Sequence, residues 1–170
     1  MKLLTKAVLA ATVATGLFAA PASAATDSEK FTAKAKIIKP VTLTNVTPLD
    51  FGTTTMNPSL VSATVSVSSA GGAAACSSAQ LTCSGGSRAD FTLTGGVAGQ
   101  TITISYPSAP TVLTHTNGTS TVGFTLDPVT SVVLDTAGAG TFAIGGKITV
   151  VAATVDGDYS AVVDVDANYL

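Results

Sequence analysis

Residues 157–170 read GDYSAVVDVDANYL, from Gly157 to Leu170, and their pattern decides the fold. From Val163 the chain alternates strictly. Val163, Val165, Ala167 and Tyr169 share one face, while Asp164, Asp166 and Asn168 share the other. A period of two means one face buried and one wet, which predicts a strand closing an antiparallel sheet. A strand with a buried face needs partners on its flanks, and one flank is open to a strand from elsewhere.

Working outward, residues 26–39 alternate as cleanly. Phe31, Ala33, Ala35 and Ile37 fall on one face, and Lys30, Thr32, Lys34 and Lys36 on the other. As an ordinary first strand this segment pairs within its own domain. As a donor strand it leaves that domain and fills a groove in a neighbour. Edge lysines also guard sheets against aggregation, but here their charge complements Asp164 and Asp166 if the two strands lie side by side. Burying Phe31 and Ile37 contributes roughly 1.5–3 kcal/mol each. That is a large share of a domain's net stability of about 5–15 kcal/mol.

Ahead of that segment, residues 1–24 read as a secretory signal peptide. Lys2 and Lys6 supply the positive start, an uncharged apolar run follows, and Ala22-Ser23-Ala24 offers small residues for cleavage. The run is short for a bilayer span, which needs about 20 residues. The mature chain then begins near Ala25 as a 25–39 extension and a 40–170 domain, exported and without direct membrane insertion. The formal charge of −2 becomes more negative once two lysines leave, which argues against nucleic acid as a partner.

Composition points to an all-β chain, rich in Thr, Val, Ser, Gly and Ala with 11% charged residues, and no segment sustains a helical period. Strands are expected at 62–68, 89–94, 101–106, 111–116, 121–126, 131–134 and 142–152, seven to nine in all. Pro40 marks a strand break, Phe51 a core corner, and Asn117-Gly118 a hairpin turn. Gly and Pro punctuation at this spacing implies an immunoglobulin-like β-sandwich.

Cys76 and Cys83 are the two cysteines. An even count in an exported chain implies a bridge, here closing a short loop at a hairpin tip. The spacing fits neither a zinc pattern nor a C-x-x-C redox pair. His115 stands beside a turn without a nucleophile motif. Asp156 and Asp158 bracket Gly157 as turn formers, without the ligand series of a calcium loop. Gly145-Gly146-Lys147 lacks the spacing and the Ser/Thr of a phosphate loop. No catalytic residues, metal or cofactor are expected, and the chain reads as a non-enzyme.

The C-terminal stretch resembles the subunits of chaperone–usher pili. These end in a strand with a glycine fourteen residues from the C-terminus, a penultimate aromatic and alternating apolar residues between; Gly157, Tyr169 and Val163, Val165 and Ala167 match in register. Residues 49–52 (LDFG), 143–150 (AIGGKITV) and 156–160 (DGDYS) resemble a bacterial exported family of unknown function described as fimbria-like. The cysteine loop departs from that pattern. The resemblance implies a pilin-like sandwich lacking one strand, with Phe31, Ala33, Ala35 and Ile37 as donor face. Gly157, Val163, Val165, Ala167 and Tyr169 form the acceptor and chaperone-contact strand. Its partners are like or related pilus subunits, a periplasmic chaperone and an outer-membrane usher. Its place is the periplasm in transit and then the cell surface, serving adhesion or biofilm formation. The alternative is a self-contained exported module that binds a surface or carbohydrate, with residues 29–37 folded back as its own strand. Such a module is expected to show exposed aromatics, and the chain has no Trp.

Overall fold

The computed structural model describes residues 29–170. The expected signal peptide lies outside the described residues. The chain divides into two units between Ala35 and Lys36. In the first, residues 29–35 carry no strand and Phe31 is 92% exposed.

The second unit is built from thirteen strands, and no helix occurs among the described residues. In chain order they are β1 (Thr42–Thr47), β2 (Thr53–Met56), β3 (Ser62–Val67), β4 (Ala75–Cys76), β5 (Leu81–Ser84), β6 (Ala89–Thr94) and β7 (Thr101–Ser105). Then follow β8 (Val112–His115), β9 (Thr121–Asp127), β10 (Ser131–Val133), β11 (Gly140–Val151), β12 (Tyr159–Ser160) and β13 (Asp166–Tyr169). The count exceeds the sequence expectation because β2, β4, β5 and β12 are only two to four residues long, too short to show a period.

The twelve-residue β11 organises the unit. Its first half pairs with β6, and its second half lies between β9 and β3, all antiparallel. These strands belong to an eight-stranded sheet in which β1, β6, β11, β9, β8 and β12 follow one another. A three-stranded sheet, β10-β7-β13, packs across it, and β2 pairs with β5 as a separate ribbon. The arrangement is an all-β, immunoglobulin-like sandwich.

Side-chain parity on β11 explains why it serves two cores. Phe142 and Ile144 point into the first, where Phe91 stacks on Phe142 at 5.0 Å and Leu93, Ile102, Ile104 and Leu134 complete the packing. Ile148 and Val150 point into the second, with Leu60, Ala63, Val65 and Leu81. Between them Gly146 also faces inward, and a Cβ there would meet Phe124, Leu49 and Phe51 at 3.0–3.2 Å. The glycine leaves the space in which the Phe51 and Phe124 rings meet edge to face, 6.0 Å apart. The Gly145-Gly146 pair is thus strand interior.

Three expectations change. Residues 29–40 carry no ladder in either unit, so no ordinary first strand is present there. The last strand begins at Asp166, because its partner β7 ends at Ser105 directly opposite. Cys76 and Cys83 are bridged, but not at a hairpin tip. β4 pairs with β3 and β5 pairs with β2, so the cystine ties the separate ribbon to the large sheet.

Candidate functional groove

The second unit carries a groove of about 690 Å³ between β2 and the chain that leads to the last strand. Its floor is apolar, formed by Leu49, Phe51, Leu113, Phe124 and Ile148, and residues 154–161 with Val163 make one wall. Leu113, Phe124 and Ile148 arrive by alternation on β8, β9 and β11, and Leu49 and Phe51 come from the connection between β1 and β2. β2 forms the other wall and uses only one flank, pairing with β5.

Residues 161–165 are the point of interest. They keep the alternation expected of a strand, with Val163 and Val165 half-buried and Ala161, Val162 and Asp164 exposed. Yet they join no ladder among the described residues. β13 continues them and pairs on one flank only, with β7. A groove with an apolar floor therefore lies beside a strand-like segment that has no strand next to it.

The expected acceptor residues divide between two surroundings. Gly157 and Val163 line the groove. Val165, Ala167 and Tyr169 instead pack against the first core. The Tyr169 hydroxyl accepts from the Val97 amide at 3.1 Å and donates to the Lys39 carbonyl at 3.0 Å. Nearby, the Lys36 ammonium donates to Gln100 Oε1 at 3.2 Å. The approach to β1 is held at the end of the last strand by these bonds. Ile37, between the two anchors, is 94% exposed.

Two features of the groove are silent in the sequence. β2 was not foreseen, because TTTM offers only one large side chain and no clear period. The placement of His115 was missed as well. Its ring packs edge-on against Tyr159 with centroids 4.9 Å apart, and its Nε2 lies 3.1 Å from the Asp156 carbonyl. The Asn117 amide donates to its Nδ1 at 2.9 Å. That sequence carries a hairpin signal next to His115, but nothing in it marks a contact across 41 positions.

Elsewhere, Tyr106 donates to the Val129 carbonyl at 2.9 Å and accepts from its amide at 3.2 Å. Burial raises its phenol pKa above the ordinary value, the hydrogen bond to Val129 opposes the shift, and the nearby Asp127 charge adds to it.

No curated protein and no solved structure matches the chain. Residues 41–169, the span from just before β1 through β13, match a family described as Domain of unknown function (DUF4402). The match covers well over half of the chain, which therefore belongs to that family.

Proposed function

We propose that the chain is a structural subunit of an extracellular pilus or fimbria, assembled by donor-strand complementation. The observation that carries the reading is the unpaired, alternating stretch 161–165 beside the apolar-floored groove. A strand laid there gains backbone hydrogen bonds from the free flank and buries its alternate side chains on the floor, which is the physics of β-strand addition.

The donor is residues 31–37 of another copy or a related subunit. Phe31 and Ile37 end that apolar face and stand almost fully exposed. Among the described residues Phe31 is the one fully exposed aromatic. That fits a donor anchor better than a sugar-stacking platform, which needs several. Direction argues for a donor in trans. Lys39 is held by the Tyr169 hydroxyl, and Ile37 stays within roughly 7 Å of Lys39. A segment folded back from there must run parallel to residues 163–169. A strand from another copy is free to enter antiparallel, as every ladder of this unit does, and antiparallel pairing is slightly the more stable.

The C-terminal likeness to chaperone–usher subunits supplies the remainder of the proposal: export, a periplasmic chaperone lending a strand before assembly, and an outer-membrane usher. The test is Phe31→Asp. Assembly is expected to be lost while the subunit remains recoverable in its unassembled, chaperone-bound state. Assembly at the wild-type level would refute the donor assignment.

A further inference from the structure

We infer that His115 is a positioning residue for the groove, and that its neutral form holds the wall to which the donor strand binds. The inference rests on the donor-strand reading of the groove and adds its control by protons.

The hydrogen bonds define the tautomer. The Asn117 N–H points at Nδ1, so Nδ1 must be an unprotonated acceptor, and Nε2 then carries the hydrogen that it donates to the Asp156 carbonyl. One neutral ring thus connects the β8–β9 turn to the loop ahead of β12. Neighbouring bonds complete the clasp. The Thr116 amide donates to the Asp158 carbonyl at 3.0 Å, and the Tyr159 hydroxyl donates to the Val155 carbonyl at 2.7 Å. All of residues 154–161 line the groove.

Gly157 belongs to the same device. Its φ is +139°, and a Cβ there would collide with Nε2 at the edge of the His115 ring. Glycine is needed here because the Nε2 edge of the imidazole abuts its backbone.

A second proton removes the acceptor. It places an N–H at Nδ1 against the N–H of Asn117, donor against donor, while leaving the Asp156 bond intact. The titratable groups on the loop packed against the ring are Asp156, Asp158 and Tyr159. The turn on its own hairpin, residues 116–120, has none. Asp156 and Asp158 attract the charged ring, which opposes the release, but at exposed positions such attraction is screened and small. Acidification acts through the lost hydrogen bond at Asn117, which frees the turn from the wall.

The experiment uses the intact mature chain and a labelled peptide with the sequence of residues 29–38. Peptide affinity and amide exchange at residues 116–118 and 155–159 are followed from about pH 8 to 5, the range in which imidazoles take up a proton. Wild type is expected to bind the peptide about five- to tenfold more weakly at the acid end, the scale of one lost hydrogen bond, with faster exchange at both segments. His115→Asn, whose side-chain oxygen can still accept from Asn117 but does not titrate, is expected to flatten both profiles. Coincident profiles for wild type and variant overturn the inference. If no peptide binds at any pH while exchange still follows His115, the latch stands and the donor-strand reading falls.

Discussion

The two alternating stretches at the ends of this chain have nearly the same pattern and opposite fates. In residues 163–169 the apolar positions are half-buried and the polar ones exposed, as a period of two requires. Between Phe31 and Ile37 every position is exposed, apolar and polar alike. Alternation therefore specifies which face of a strand wants burial, but not where the burial comes from. Residues 166–169 find it in β7 and the first core, residues 161–165 find only half of it, and residues 31–37 find none.

The same substitution at the two ends should give the largest contrast. Val165→Asp puts a charge against the first core and is expected to cost about 3–4 kcal/mol, read as a lower denaturation midpoint of the unassembled subunit. Ile37→Asp should change that midpoint by no more than about 0.5 kcal/mol, yet block assembly. Equal losses at both positions would erase the distinction between a seated and an unseated strand.

Next in size is Gly157→Ala, expected to cost about 1–3 kcal/mol through its backbone conformation and its contact with the His115 ring. Thermal melting checks it, and a relaxed His115→Ala background should recover part of the loss. Tyr169→Phe deletes the hydroxyl that joins Val97 to Lys39, at about 1 kcal/mol for each hydrogen bond. Amide exchange at Val97 should rise, and residues 36–40 should become more mobile by NMR relaxation.

The smallest expected effect sharpens the contrast at high pH. The Tyr106 pKa is raised in the folded chain above its ordinary value of 10.0. The folded state thus holds that proton more tightly than the unfolded state. The stability linked to it is fully present below the ordinary pKa and is lost as pH rises through the folded value. Tyr106→Phe should remove this alkaline loss without altering peptide binding at the groove.

Much of the fold is legible in the residues. The inward sets Ala63, Val65 and Val67 on β3 and Phe91 and Leu93 on β6 follow from parity alone, and Asn117-Gly118 does turn β8 into β9. What parity cannot carry is partnership. β11 pairs with three strands from distant parts of the chain, and a cystine seven positions apart joins a ribbon to the large sheet instead of closing a hairpin. The proposed acceptor residues were recognisable as one face of one strand. Their division between groove and core falls between Val163 and Val165 and depends on what other segments pack there. His115 and Gly157 illustrate the same point at the scale of a single contact.

The central claim is that the groove accepts a strand from outside the chain. It is tested most directly by denaturant unfolding of three purified forms: residues 25–170, residues 40–170, and residues 40–170 with 26–39 joined after Leu170 through a flexible linker. The account predicts an unstable truncated form, and a grafted monomer far more stable than 25–170, because the graft enters antiparallel beside residues 161–165. A fully stable two-state monomer of 25–170 that the graft does not improve would contradict it.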